Sequence, residues 1–535
     1  MRHTGVSLLL SLGTLVAGVA AGAAPVCEPG ALNALQVADL KVTEARPVAA
    51  TPQVPGHCAV QGTVVTRGEA APEGSARFAM QLPNEWRQRF LFLGVGGNAG
   101  TLQPSANASD RAAALGKGYA TVLTDTGHVG DGTTADWVRN ADGSLDQAKV
   151  TDFLFRAAHD VTVAGKAFTQ AYYGSPIRRA YFDGCSTGGR MALAAAIHYP
   201  DDFQGVISGD PAMDFNLNLA RMAVQKAILS RPAGYIPQDL VNAIDARIVA
   251  QCDALDGAKD GLVQDPSRCP VKPESLQCKS GESGSCLSAD QLLVFKAYVE
   301  PLRDSRGRVA YPGWPVAHLA DGASSTTFGR SAPHGAATMP WGDESNAPRA
   351  WRLAFESLTK WLGYGDSASL LDAGIDTTKK VANDELFSRT RSIMGAGEGW
   401  EAAKLLPFFA RGGKLILYHG ASDPSITPVR STMMYDDLVA AMKGLDKAQQ
   451  AARYFLVPGM HHCGNGAGVE VFDTLSAMEA WAEQGTAPAM ILARARPAAP
   501  VQRTLPLCPY PQQARYSGKG EINDAGNWSC QAVKQ

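Results

Sequence analysis

The octapeptide DGCSTGGR, residues 183–190, holds Ser186 between Gly184 and Gly188 in a G-x-S-x-G pattern. A serine hydroxyl is a weak nucleophile at neutral pH. It becomes useful only beside a general base that is itself oriented by a carboxylate. Where G-x-S-x-G joins a strand to a helix, the sharp turn lifts the serine over the sheet edge, and the flanking glycines let strand and helix approach. The partners of such a serine follow it in the order acid, then histidine. Asp423 in HGASDPSITP and the pair His461 and His462 in PGMHHCG stand in that order, each after an apolar strand-like run. An aspartate before Pro424 would also serve as a turn cap, and a lone loop histidine as a surface residue; order, spacing and strand context together favour acyl transfer. The oxyanion that forms when Ser186 attacks a carbonyl needs N–H donors. The amide of Thr187 is one candidate, and the Gly-rich turn GVGGNAG offers a second at Gly97, with Gly96 as the alternative.

Cys185 lies directly against this serine, and the chain has ten cysteines. Their compartment follows from the N-terminus. Arg2 and His3 precede an apolar run from Val6 to Ala20 that is too short to span a bilayer, and Ala21-Gly22-Ala23 closes it. This is the order of a secretory signal peptide, residues 1–23, with cleavage expected after Ala23. Pro25 and the lack of a lipobox before Cys27 argue against a lipoprotein. A secreted or periplasmic location is oxidising, and an even cysteine count there implies a disulfide framework. Spacing groups Cys27 with Cys58, Cys252 with Cys269, Cys278 with Cys286, and Cys508 with Cys530, although sequence does not fix connectivity. Cys185 and Cys463 are left. A bridge between them would tie the backbone beside Ser186 to that beside His462, within about 4.4–6.8 Å between Cα atoms, and would single out His462 over His461 as the base.

These groups need a scaffold that presents them at one edge. RFLFLGVGGNAG (89–100), YATVLTDTGH (119–128), RRAYFDG (178–184) and GVISG (205–209) each read as a buried strand ending in a turn. DFLFRAAHDVTVAGKAFTQAYYG (152–174) has apolar residues at helical spacing, and GRMALAAAIHYP is an Ala-rich helix stopped by Pro200. Strand–helix alternation implies an α/β fold with a parallel sheet covered on both faces. The alternation breaks between 211 and 406, a segment with four cysteines and Trp314, Trp341, Trp351, Trp361 and Trp400. It resumes at KLILYHG (414–420) and ARYFLVPG (452–459). The economical reading is a catalytic domain of residues 24–210 and 407–535, with a lid of residues 211–406 inserted after the strand that follows the Ser186 turn. The lid tryptophans either line an aromatic pocket over Ser186 or form a small core of their own.

Ser preceded by Cys, a separate Asp, and His followed by Cys resemble the CS-D-HC arrangement of the tannase and feruloyl esterase family. GVGGNAG, TDTGH, GCSTGGR, DALDGAKDGLV and VPGMHHCG stand in that family's order, and the likeness runs from about Cys27 to Cys530. The resemblance implies an α/β-hydrolase fold, with Ser186 as nucleophile, Asp423 as orienting acid, His462 as base and Cys185–Cys463 as a bridge. It also bears on CDALDGAKDGLVQDPSRC. Asp253, Asp256 and Asp260 there suit a hard cation with oxygen ligands, although composition alone allows a solvated acidic turn equally well. By resemblance the loop holds a structural Ca²⁺ through those carboxylates and the carbonyls of Ala258 and Leu262.

A formal charge of −2 and the lack of a basic run argue against a nucleic-acid partner. No further apolar stretch is long enough for a membrane span. The expected activity is hydrolysis of esters of aromatic acids through an acyl-enzyme, with feruloyl esters first, galloyl esters second and terephthalate half-esters third. Thr187 departs from the Glu that the resemblance associates with terephthalate-ester enzymes. An amidase would use the same three residues. A calcium-dependent binding module on an inactive hydrolase scaffold is disfavoured by the intact Ser186, Asp423 and His462.

Overall fold

The computed structural model describes Met1 and residues 26–103, 108–320, 322–333, 340–343, 345–364, 375–376, 381–382, 384–395 and 401–533. Apart from Met1, the expected signal peptide lies outside the described residues, as does Trp400.

Nine strands form the main sheet: β1 Leu40–Val48, β2 His57–Thr66, β3 Gly74–Pro83, β4 Arg89–Leu93, β5 Tyr119–Thr124, β6 Arg179–Cys185, β7 Gly205–Gly209, β8 Lys414–Gly420 and β9 Ala452–Val457. They lie in the order β1-β2-β3-β5-β4-β6-β7-β8-β9. From β5 to β9 neighbouring strands run parallel. Here β5 and β7 are buried along their whole length, as strands covered by helices on both faces must be. The expectation of a wholly parallel sheet needs correction at the other end. Strands β1, β2 and β3 are antiparallel, and β3 joins β5 antiparallel. Along β2 and β3 buried residues alternate with more accessible ones, the pattern of a sheet with one wetter face.

The long helix of 152–174 begins unusually. A π-turn at Asp152–Arg156 precedes α1, Ala157–Tyr173, which stops at Gly174 in the left-handed conformation. A π-turn widens the ring and frees carbonyls. Those of Phe153 and Leu154 accept from the guanidinium of Arg190 at 2.9 and 3.1 Å. Arg190 belongs to α2, Thr187–His198, the helix that follows Ser186. The same turn places Asp152 and Arg156 in an ion pair at 2.6 Å, with both side chains buried. Arg156 also donates to the carbonyls of Gly68 and Pro72, and Thr66 Oγ1 donates to Asp152. The β2–β3 hairpin is thereby locked onto the layer that carries α2.

The insertion leaves the sheet after β7 and returns at β8. It contains α3, Asn216–Leu229, and α4, Arg349–Leu362, which pack on each other, together with strands of only two or three residues. No helix among the described residues is long and apolar enough to cross a membrane. After β9 the chain forms two small sheets, the last closed by Cys508–Cys530.

Removing one partner of a buried ion pair strands the other charge, at a cost of about 3–5 kcal/mol. Arg156→Leu should therefore lower the urea midpoint by that equivalent with an unchanged denaturant slope, read by circular dichroism.

Candidate active site

Ser186 sits between the end of β6 and the start of α2 with φ 64° and ψ −126°. A non-glycine residue held there costs about 1–3 kcal/mol. The turn is held by Ser186 N–H donating to Gly209 O at 2.9 Å. Its tightness explains the glycines. A Cβ on Gly184 would lie 2.6 Å from the Gly188 carbonyl, and one on Gly94, at the end of β4, 2.4 Å from Gly188 Cα. The helix thus starts against two strand ends, and only residues without side chains fit.

Asp423 lies in the loop after β8, and His462 in the loop after β9. His462 Nε2 is 2.9 Å from Ser186 Oγ, and its Nδ1 is 2.6 Å from Asp423 Oδ2. Because a carboxylate only accepts, Nδ1 carries the proton and Nε2 is left to accept from the serine. Asp423 is buried, and its Oδ1 accepts from Ser425 N–H at 2.7 Å and Ile426 N–H at 3.0 Å. Burial alone would raise this carboxyl, but His462 and His419 outweigh burial and hold it well below the usual range. The acid and base loops touch: a Cβ on Gly420 would meet the His461 carbonyl at 2.3 Å. His461 turns away, with Nε2 donating to His318 O at 3.1 Å.

Cys185 and Cys463 are bonded, with Cα atoms 6.0 Å apart. The other bonds are Cys27–Cys58, Cys252–Cys269, Cys278–Cys286 and Cys508–Cys530. The described chain therefore has no free cysteine.

Gly97 and Thr187 line the same pocket as Ser186 and His462. The Thr187 N–H belongs to the first turn of α2, where a helix supplies no acceptor. Gly97 has φ +61°, and a Cβ there would sit 2.1 Å from Gly132 O. The turn is fastened by Asn98 N–H donating to Gly132 O at 2.7 Å, by His128 Nε2 donating to Asn98 O at 2.8 Å and by Thr187 Oγ1 donating to Gly97 O at 2.5 Å. His128 is buried and stacked on Trp137. Burial pushes its pKa down to about 4, so it is a neutral donor. TDTGH therefore supplies the support of the Gly97 turn, which its sequence alone did not reveal.

Among the described insertion tryptophans only Trp361, on α4, is found in the wall of this pocket, next to Phe153. Trp314 stacks on Tyr298 and Trp351 on Phe355, and Trp341 is buried elsewhere. These three are core. Three arginines also line the pocket; Arg190 is already taken up by the carbonyls of Phe153 and Leu154. Arg221 on α3 is buried, and its Nε has no hydrogen-bond partner. Arg349, the first residue of α4, is exposed and has no carboxylate partner among the described residues. Asp214, in the same wall, is paired with Arg430 at 2.8 Å.

The acidic loop lies closer to the base loop than its sequence distance suggests. A Cβ on Gly459 would meet the Leu262 side chain at 2.4 Å, and Val263 N–H donates to His318 Nε2 at 3.0 Å, whose own carbonyl receives His461. Asp253 Oδ1 gathers the N–H groups of Asp260, Gly261 and Leu262. Asp260 pairs with Arg503 at 2.8 Å. Asp256 Oδ2 is buried without a hydrogen-bond partner, and burial pushes its carboxyl up to about 7. Among the described residues the three carboxylates do not converge on one point. Asp253 is engaged by amides and Asp260 by Arg503, and only the orphaned Asp256 oxygen is left of the kind a hard cation takes.

The family model described as tannase and feruloyl esterase matches residues 58–531. The chain is 31% identical to the mono(2-hydroxyethyl) terephthalate hydrolase of Piscinibacter sakaiensis, over 94% of this chain and 89% of that one. It is 29% identical to the probable feruloyl esterase B-2 of Aspergillus flavus, over 79% and 78% of the two chains. The crystal structure of feruloyl esterase B from Aspergillus oryzae superposes with a TM-score of 0.76 at 26% identity, covering 92% of this chain and 97% of that one.

Replacing Cys185 and Cys463 together by Ser should remove about 5 kcal/mol of chain-entropy stabilisation. Because the bond fixes the backbone on both sides of the Ser186–His462 contact, kcat should fall by more than KM changes. Thermal melting and initial rates on one preparation check both.

Proposed function

The chain belongs to the tannase and feruloyl esterase family of carboxylic ester hydrolases, and from that premise we propose that it is an exported serine esterase acting on esters of aromatic acids. The observation that carries the reading is the continuous hydrogen-bond line Ser186–His462–Asp423, whose Ser186 and His462 line a pocket that also holds Phe153, Phe215 and Trp361. Ser186 Oγ attacks the ester carbonyl as His462 Nε2 takes its proton. The oxyanion rests on the N–H groups of Thr187 and Gly97. His462 then returns the proton to the leaving alcohol, and water, activated by the same imidazole, releases the acid. Phe153 and Trp361 supply flat apolar walls for an aromatic acyl group, and the feruloyl class ranks first. The apolar leader and five disulfides support export to the periplasm or the medium, and the insertion serves as the lid.

A second reading rests on Arg349 and Arg221. With Asp214 already matched by Arg430, the pocket wall carries cationic groups that an anionic substrate end would satisfy. This favours the half-ester of an aromatic diacid over the neutral galloyl ester. Initial rates on methyl ferulate, methyl gallate and mono(2-hydroxyethyl) terephthalate decide the order. Ser186→Ala should lower kcat on each by about 10⁴–10⁶-fold, and retained turnover would remove Ser186 from the mechanism. If the half-ester reading holds, Arg349→Gln should raise KM for the terephthalate ester alone.

We assign Ca²⁺ to the acidic loop on the family resemblance, with the orphaned Asp256 carboxylate as its first ligand and the carboxylates of Asp253 and Asp260 and the carbonyls of Ala258 and Leu262 as the others. The ion would neutralise those charges and stiffen a loop on which the base loop leans through Leu262, His318 and His461. Calcium at a hundredfold excess over Kd should stabilise the protein by about 2.7 kcal/mol, read as a rise in Tm that chelator reverses. An unchanged Tm with no metal found on analysis would return the loop to a solvated turn.

A further inference from the structure

Two titratable groups behind the triad have no part in the mechanism above. Asp210 follows β7 and His419 lies in β8, and both are 0% exposed, as is Asp423. Asp210 holds φ 38°, a conformation rare for a residue with a side chain. Its Oδ1 accepts from Gly420 N–H at 2.7 Å, at the root of the acid loop. Its Oδ2 accepts from Cys463 N–H at 2.5 Å, one residue past the base, and lies 3.3 Å from the sulfur of Cys185. One carboxylate thus touches the backbone of both loops and the bridge to the nucleophile.

His419 stands between the two carboxylates. Its Nε2 is 3.3 Å from Asp423 Oδ2, 3.7 Å from Asp210 Oδ1 and 2.9 Å from Ile426 O. All three are acceptors, so Nε2 is protonated. Its Nδ1 lies 2.8 Å from Ser431 Oγ, which accepts when that nitrogen carries a proton too. Two carboxylates this close in a dry site cannot both ionise without a compensating charge. We propose that Asp210 and His419 form a buried carboxylate–imidazolium pair that holds the acid and base loops in register and sets the proton affinity of His462. Burial works against both charges. It and the like charge of Asp423 raise the Asp210 carboxyl, opposed by His419, His462 and the Gly420 N–H, while both Asp210 oxygens accept N–H groups as a carboxylate does. For His419, Asp210 and Asp423 outweigh burial and raise its pKa. The pair is neutral as a unit, which leaves Asp423 as the uncompensated charge facing His462. The other groups facing this cluster are His462 itself, the Ser431 hydroxyl, the Arg221 guanidinium, and the phenols of Tyr298, Tyr311 and Tyr454, which burial keeps neutral. Asp210 and His419 are positioning residues, since neither touches the reacting atoms.

The pair makes a prediction of sign that a packing role does not. Asp210→Asn removes the negative member and leaves a positive one, so protonation of His462 becomes harder. His419→Gln keeps a neutral donor near Nε2 and leaves the negative member, so protonation becomes easier. The acid limb of kcat/KM on p-nitrophenyl acetate reports this step in the free enzyme. It should move down by about 0.5–1 pH unit in Asp210→Asn and up by a similar amount in His419→Gln, with the double variant between. In each single variant kcat should fall about tenfold, within the 10²–10⁴-fold that acid–base catalysis supplies. Ser431→Ala removes only the Nδ1 acceptor and should move the limb in the His419→Gln direction by less. Unmoved limbs, or shifts of one sign in Asp210→Asn and His419→Gln, would overturn the pair. If neither folds, an unmoved limb in Ser431→Ala overturns it. Because the proposal rests on His462 serving Ser186, Ser186→Ala is the control: turnover surviving there defeats the triad, whereas a dead Ser186→Ala with unmoved limbs elsewhere defeats the pair alone.

Discussion

The Cys185–Cys463 bond is the constraint on which the site depends. It joins the residue before Ser186 to the residue after His462, across 278 positions of chain. Around it the remaining tolerances are steric. Gly94, Gly184 and Gly188 let two strands and a helix meet where any side chain would separate them, and Gly420 does the same for the acid and base loops. The Ser–His contact is therefore built from backbone approach and one covalent bond rather than from flexible side chains, which suits a reaction sensitive to misplacement of a single ångström.

The support reaches further through buried polar groups. The π-turn at Asp152–Arg156 gives carbonyls to Arg190 in the helix behind Ser186 while its ion pair pins the β2–β3 hairpin. His128 holds the turn that offers Gly97, and Asp210 holds the loops of Asp423 and His462. Each of these buried polar groups is costly unless paired. Their hydrogen bonds couple the distant parts of the sheet to one edge, so the local conformation at Ser186 is over-determined and its unfavourable backbone angles persist.

The insertion contributes pocket wall and none of Ser186, Asp423 and His462. It brings Trp361 and Arg349 on one helix and Arg221 on another to the pocket over Ser186, while its other described tryptophans make its own core. Its acidic loop leans on the base loop through Leu262 and His318. One segment thereby shapes the pocket over Ser186 and braces the loop of His462 from behind.

By itself the sequence determined what local pattern can determine: the strand–turn–helix around Ser186, the order of Ser186, Asp423 and His462, the interruption of strand alternation between 211 and 406, and the family. These follow from hydrophobic period, glycine placement and chain order, which are short-range properties. It did not reveal the antiparallel β1–β3 strands, because pairing direction is a matter of connection and not of composition. Nor did it mark Asp210, His419 or His128. A lone aspartate after GVISG, a histidine inside an apolar strand and a histidine after TDTG have unremarkable neighbours in the chain. Only the tertiary structure decided which of the described insertion tryptophans meets the pocket, and which buried charges lie against each other, because burial and long-range electrostatics exist only once strands distant in sequence are side by side.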